Sequence, residues 1–177
     1  CAAAGSLRAE VLRQSDPIAW LQQNCGCDVA AAENLYHYLQ RQLKITGRMP
    51  TDRTVVVEQF VDASTMPHLV VHAPFGSRVT GAWAMVLAAA LTNRHRLEFQ
   101  YTFDDDGMLF RFPDSAQPLD VNGLFTLSLA EAEQWLLQGL AVSPLFAVRF
   151  RQNAGRSLIL PRSRPGKRIP LWLQRLR

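Results

Sequence analysis

Two pairs of strand-like segments, with one long apolar helix pattern between them, constrain the fold more than any other feature of the sequence. The first pair covers residues 54–61 and 69–72, which are rich in β-branched side chains and are separated by a turn-rich segment. The second pair covers residues 97–103 and 108–112, which alternate apolar and other side chains around Asp-Asp-Asp-Gly. The helix pattern covers about residues 79–92. We therefore predict an α+β fold, in which an antiparallel sheet of about four strands, made of two hairpins, carries packed helices.

Helix start and stop signals dominate the first third of the chain. Ser15-Asp16-Pro17 predicts a break and a new helix start, Asp28 predicts the cap of the next helix, and that helix pattern reaches Gly47. Farther along, residues 128–137 open with the capping-box pattern Ser-Leu-Ala-Glu and predict an amphipathic helix. The N-terminal third is therefore predicted to be helical.

These patterns divide the chain into a helical lead-in, residues 1–50, and an α+β core, residues 51–177, which ends in a basic helix and a loop rich in Pro and Arg. With 177 residues, of which 48% are hydrophobic and 19% charged, the chain is long enough to bury a substantial core. Because the sequence begins with Cys and ends just as a new helical pattern starts, we expect it to be a fragment of a much larger protein.

The charge is distributed unevenly. No acidic residue follows Glu133, but nine Arg and Lys residues do, whereas the net charge of the whole chain is only +4. Apolar residues are interspersed among these cations, which is typical of an ordered basic surface rather than a solvated tail. The C-terminal end is therefore predicted to bind a polyanion.

A helical pattern begins this basic region. At helical spacing, apolar and cationic residues fall on roughly opposite sides. The apolar side has Phe146, Phe150, Ala154 and Leu158, and the polar side has Arg149, Gln152 and Arg156. This predicts a packed helix with one cationic face, which Pro161 stops.

The next segment contains Pro161, Pro165 and Pro170 and is predicted to be an extended loop. Cations held at fixed spacing suit phosphate groups, and an aromatic ring just beyond them offers a face on which a base can stack. The candidate residues here are Arg162, Arg164, Lys167, Arg168 and Trp172. The alternative, which the composition alone supports equally, is that the cations are only solvated and Trp172 belongs to the core.

A secondary candidate lies before the apolar helix, at Gly76-Ser77-Arg78. Gly76 frees the backbone and Ser77 can cap, so free amides at the helix start could hold a phosphate, with Arg78 adding charge. The competing interpretation, a cap that serves folding only, is favoured because many helices begin this way. The segment is not a Walker A loop, since it lacks the second Gly and the Lys-Ser/Thr pair.

Other residues that could carry chemistry are better explained structurally. His72 ends a strand with no activated Ser or Cys in its sequence context, so a structural histidine is favoured over a catalytic base. Residues 104–106 are three aspartates, and Asp-Gly between two strands is typical of a turn rather than a calcium loop. Cys25, Cys27 and His37 lack the usual metal-ligand spacing. We therefore predict no catalytic residue and no metal site in this chain.

Three motifs, in the same order, resemble a known family. They are Pro50-Thr-Asp-Arg-Thr-Val-Val-Val-Glu, His72-Ala-Pro-Phe-Gly-Ser-Arg-Val, and the run from Phe146 through Pro161-Arg-Ser-Arg-Pro-Gly-Lys-Arg to Arg175. Over about residues 20–177 the chain resembles the DEAD/H-associated region that follows the motor domains of Lhr (large helicase-related) proteins, which belong to helicase superfamily 2. It departs from that pattern at Gly155 and Leu173, where Ala and Gln are expected.

The resemblance implies an accessory nucleic-acid-binding module of an ATP-dependent 3′–5′ helicase, with a role in DNA repair. It implies single-stranded DNA or an RNA:DNA hybrid as partner, together with upstream motor domains that use ATP and Mg²⁺, while this chain holds no cofactor. The main alternative is a structural module that docks on the motor domains without touching nucleic acid; an enzyme built on His72 is a weaker one.

Cysteine content and hydropathy predict the cellular compartment and whether the chain contacts a membrane. An odd number of cysteines, three, favours a reducing cytosol and hence a cytoplasmic protein. No apolar run approaches the roughly 20 residues that cross a bilayer, so no membrane partner is expected.

Overall fold

The computed structural model describes residues 2–95, 98–112, 121 and 123–157. Within these ranges there are six helices and four strands. In chain order they are α1 (Ala2–Val11), α2 (Pro17–Cys25), α3 (Val29–Thr46), β1 (Val56–Val61), β2 (Pro67–His72), α4 (Ser77–His95), β3 (Gln100–Phe103), β4 (Gly107–Arg111), α5 (Leu129–Val142) and α6 (Pro144–Arg156).

The four strands form one antiparallel sheet in the order β1-β2-β4-β3. The two hairpins join side by side through β2 and β4, where Val71 pairs with Met108 and Leu69 pairs with Phe110. The helix α4 connects the hairpins along the chain. The predicted α+β fold with two hairpins is therefore confirmed.

One hydrophobic core lies between the sheet and α4. Leu69, Val71 and Phe110 of the central strands are fully buried together with Leu87 and Leu91 of α4. Alternate residues of β2 and β4 point toward the helix, as the period of a strand requires. The small alanine side chains of α4 let the backbones of α5, β3 and β4 pack close to this helix.

A second cluster of buried residues lies among the first three helices, where Val11, Leu21 and Leu39 are at most 1% exposed. The helix ends are those that the sequence predicts. Asp16 accepts from the N–H of Ala19 at 3.0 Å, Asp28 accepts from the N–H of Ala31 at 2.7 Å, and α3 ends at Gly47 with φ +70°. The helical N-terminal third is therefore confirmed.

The fifth helix extends farther than the sequence predicts. The pattern indicated an end near Leu137, but α5 continues to Val142, and α6 begins directly after Ser143. Pro144 explains the break, because proline disfavours helical geometry in the residue before it, and Ser143 is extended with ψ 146°. The capping box of Ser128 and Glu131 at the start of α5 is present as predicted.

None of the described helices has the length and apolar character that a bilayer crossing requires.

Candidate nucleic-acid interface

The helix α6 is oriented by its apolar side. Ser143 caps it by accepting from the N–H of Phe146 at 3.1 Å, and Pro144 occupies the first turn. Ala154 is buried, Phe150 is half-buried, and the rings of Phe146 and Phe150 stack with centroids 6.1 Å apart. These contacts fix which side of α6 faces solvent.

The polar side of α6 is cationic and open. Arg149, Gln152, Asn153 and Arg156 are all exposed. Arg149 and Arg156 are seven residues apart, which places them on the same side of the helix and about 10 Å apart along its axis. Within the described part of the chain, neither guanidinium has a carboxylate within 4.0 Å. Their positive charge is therefore directed to solvent, where it can meet an anion.

Five of the predicted contact residues follow α6 in the sequence. Arg162, Arg164, Lys167, Arg168 and Trp172 lie outside the described residues. The arrangement of the Pro/Arg loop therefore stays a prediction. Of the other candidates, the structure places Arg149 and Arg156 on one surface.

The start of α4 differs from its predicted phosphate-binding form. The N–H of Ser77 donates to Oδ1 of Asp105 at 2.7 Å, and the N–H of Gly76 donates to the backbone carbonyl of Asp105 at 3.0 Å. Asp105, from the turn between β3 and β4, is therefore the cap, and Ser77 is a donor rather than the predicted acceptor. The carboxylate of Asp105 takes the Ser77 amide and its backbone carbonyl takes the Gly76 amide, so two of the amides that a phosphate would need already have partners. This supports the folding interpretation of the helix start.

Arg78 is exposed beside this capped helix start. No described contact brings it to Arg149 or Arg156. Its role in binding therefore stays a prediction.

The three aspartates of the second hairpin each have a structural partner. The carboxylate of Asp104 accepts from the backbone N–H groups of Asp106 and Gly107, both at 2.9 Å, which is the expected turn chemistry. Asp105 caps α4, and Asp106 forms a 2.7 Å ion pair with Arg8 of α1. The predicted turn is confirmed, and it also ties α1 and α4 to the end of the sheet.

The histidines of β2 are engaged with neighbouring residues. Nε2 of His72 lies 2.8 Å from Oε2 of Glu58 on the adjacent strand, and both side chains are partly buried. The ring of His68 stacks on Phe60 with centroids 5.0 Å apart. These contacts support the structural interpretation of His72. Among the described residues there is also no group of three or more side chains that could hold a metal ion.

The Asp105 cap makes stability depend on pH. Hydrogen bonds from the backbone N–H and then the hydroxyl of Ser77 lower the pKa of Asp105 below its ordinary value of 3.8. A lowered carboxyl pKa stabilises the fold above the pKa of the unfolded chain, and this stabilisation disappears as pH falls through the folded-state pKa. We expect Asp105→Ala to be less stable than wild type in urea unfolding at pH 7, with a difference that shrinks below about pH 4.

The variant Asp105→Asn is the matched control, because it keeps a side-chain acceptor but cannot titrate. The difference in stability between this variant and wild type should also shrink in acid. A difference between wild type and Asp105→Ala that is the same at pH 7 and in strong acid would contradict the role of the ionised carboxylate.

A second basic surface, which the sequence-based candidates did not include, lies on α3. Tyr38, Arg41 and Lys44 are exposed on the side of this helix that faces away from its buried residues. The sequence signal that could have identified it is the absence of acidic residues between Glu33 and Asp52, combined with helical spacing.

Comparisons with known proteins agree on one family. The sequence profile described as "DEAD/H associated" matches residues 49–177. The "Lhr helicase/ probable uracil glycosylase" of Mycolicibacterium smegmatis is 39% identical over 155 residues, which cover 88% of this chain and 10% of that protein. The "Lhr helicase/uracil glycosylase" of Escherichia coli is 33% identical over 144 residues, covering 81% and 9%.

A solved structure gives the same result. The "Structure of Mycobacterium smegmatis helicase Lhr bound to ssDNA and AMP-PNP" superposes with a TM-score of 0.80 and 38% sequence identity, over 99% of this chain and 22% of that one. The chain thus spans about a tenth of the length of the curated relatives and about a fifth of the solved protein. Its fold and its sequence both match one part of these helicases, and the chain belongs to the DEAD/H associated family.

Proposed function

We propose that this chain is an accessory nucleic-acid-binding module of an ATP-dependent 3′–5′ helicase of the Lhr type. In this proposal it grips single-stranded DNA or an RNA:DNA hybrid while upstream motor domains hydrolyse ATP. The observation that carries the proposal is the exposed cationic side of α6, in which Arg149 and Arg156 contact no described carboxylate. A similar helicase was solved with single-stranded DNA, which supports the choice of ligand.

The proposed grip is electrostatic and independent of base sequence. Arginine and lysine side chains hold phosphates, and an aromatic ring resists slippage by stacking on a base. We assign the principal contacts to Arg162, Arg164, Lys167, Arg168 and Trp172, and further contacts to Arg149 and Arg156. Arg78 is retained as a weaker candidate because Asp105 already neutralises its helix start.

ATP and Mg²⁺ belong to the motor domains in this proposal. No step of hydrolysis is assigned to residues of this chain. Its contribution would be to keep hold of the strand while the motor moves, and a role in DNA repair and a cytoplasmic setting are parts of the same proposal.

The division into a helical lead-in, residues 1–50, and an α+β core, residues 51–177, is also proposed. Two separate clusters of buried residues support it, one among the first three helices and one between the sheet and α4. The family profile begins at residue 49, close to the proposed boundary.

Docking on the motor domains is the second candidate function. Apolar side chains are exposed on the same two helices that end the described chain: Val148 of α6 is 50% exposed, and Leu137 and Leu129 of α5 are 61% and 87% exposed. Such side chains suit a protein partner. Salt dependence separates the two functions, because phosphate contacts release counterions whereas intramolecular docking predicts no nucleic-acid binding by this chain.

Changing Arg149 and Arg156 together to Ala tests the α6 surface. If each holds one phosphate of a single strand, log K should depend less steeply on log salt by about 1.4, since each contact contributes about 0.7. Affinity at 0.1 M salt should then fall on the order of tenfold. Fluorescence anisotropy with a labelled DNA single strand measures both quantities.

The control is a variant with Arg13→Ala and Arg53→Ala, which removes the same charge from two exposed arginines that have carboxylate partners. It should bind almost as wild type does. Equal losses in the two variants would show a general effect of net charge and would remove α6 from the proposed interface.

A further inference from the structure

The outer side of α3 has two cations and an exposed aromatic ring in its C-terminal half. At helical spacing six exposed residues fall within about a third of the helix circumference. These residues are Asn34, His37, Tyr38, Arg41, Lys44 and Ile45, and together with the exposed Arg48 just after the helix they form what we term the α3 basic face.

Packing fixes the direction of this face. The opposite side of α3 has Ala32 and Leu39, which are buried, and Leu35 and Leu43, which pack on the same cluster. Because that side is held against α2, the helix cannot turn its cations inward. The α3 basic face is therefore directed to solvent by the fold.

The charge of the face is uncompensated. From residue 34 to residue 51 the sequence has three cations, Arg41, Lys44 and Arg48, and no acidic residue. In the described part of the chain, none of the three has a carboxylate within 4.0 Å. A polyanion is the complementary partner for such a surface.

Stabilisation of the helix by its dipole explains the position of only some of these cations. Lys44 lies in the last turn of α3, where a cation interacts favourably with the helix dipole. Arg41 lies five residues before the last helical residue, and the dipole effect falls off within the last turn. Arg41 is therefore not explained by the helix itself.

An exposed aromatic ring lies beside these cations. Tyr38 is 55% exposed, whereas Tyr36 packs against the helical cluster and accepts from Gln40 at 3.0 Å. Arg41 is one turn from both Tyr38 and Lys44. A strand whose phosphates contact Arg41 and Lys44 would thus bring a base within reach of the Tyr38 ring.

We propose that the α3 basic face is a second binding surface for single-stranded nucleic acid, separate from the basic C-terminal end. Arg41 and Lys44 contact phosphates, and Tyr38 stacks on a base. The proposal deepens the proposed function and rests on it, in that both require the chain to bind a single strand. Two surfaces on one strand would hold it more strongly than either alone, because the second contact becomes intramolecular.

Three variants of the full chain test the proposal by anisotropy with a labelled DNA single strand across a range of salt. Arg41→Ala with Lys44→Ala should make log K less dependent on log salt by about 1.4. Tyr38→Ala should lower the affinity roughly fivefold or more and leave the salt slope unchanged, because stacking releases no counterions. The third variant, Arg13→Ala with Arg53→Ala, removes equal charge elsewhere and should keep the wild-type slope.

Each outcome decides between the surfaces. If the Arg41/Lys44 variant binds as the Arg13/Arg53 control does while the Arg149/Arg156 variant is weakened, the α3 proposal is overturned and the proposed function stands. If the α3 variant alone is weakened, the inference holds and α6 is removed from the interface. If the wild-type chain binds no single strand even at low salt, neither surface binds nucleic acid. The complementary partner of the α3 basic face would then be an acidic protein.

Discussion

Replacing Phe110 with Ala is expected to lower the free energy of unfolding by about 3–5 kcal/mol. Phe110 is fully buried in the central strand β4, opposite Leu69 of β2, and its ring lies 5.9 Å from that of Phe99 and 5.8 Å from that of Tyr101. The substitution removes a large side chain from a site enclosed by the sheet and α4, and the cavity cannot close without moving both. Urea unfolding at pH 7 measures the change.

Phe60→Ala is the matched control for this prediction. Phe60 lies in the edge strand β1 and is 47% exposed, so its loss should cost much less than the loss of Phe110. If the two substitutions destabilise the protein equally, the core is not centred between β2, β4 and α4.

Changing Arg162, Arg164, Lys167 and Arg168 together to Ala is expected to lower affinity for single-stranded DNA on the order of 10²–10³-fold at 0.1 M salt. Four phosphate contacts contribute about 2.8 to the slope of log K against log salt, and that part of the slope should disappear. This is the largest effect on binding that we expect, because these four cations are the most closely spaced in the sequence. Anisotropy over a salt series measures affinity and slope together.

A variant with Arg162, Arg164 and Arg168 changed to Lys separates charge from shape. It keeps every charge and should keep the slope, while losing some affinity where arginine makes two parallel hydrogen bonds to a phosphate. A four-alanine variant whose slope matches that of wild type would mean that these cations contact no phosphate.

Local chemistry explains what could be predicted of the fold. Asp28 and Gly47 mark the ends of α3 because each acts on amides or carbonyls of its own helix. The turn at Asp104 was predictable for the same reason, since its partners are two and three residues away. The Asp105 cap was not, because Ser77 is 28 residues distant and only the pairing of β2 with β4 brings the two together.

One part of the candidate interface could be predicted from the sequence, and another part could not. The cationic side of α6 was predictable because dense arginines alternate with apolar residues within one helix. The α3 basic face was missed because its cations are spread among neutral residues and become neighbours only on the folded helix. Tyr36 and Tyr38 look equivalent in the sequence. In the fold, Tyr36 packs against the helical cluster, whereas Tyr38 stays exposed.

The most direct test of nucleic-acid binding is a salt titration of the unmodified 177-residue chain with labelled single-stranded DNA. If the two α6 arginines and the four loop cations each hold a phosphate, log K should fall with log salt with a slope of about −4. A slope clearly steeper than about −2 would require several phosphate contacts at once. Absence of binding at low salt would contradict the grip and would favour docking on the motor domains.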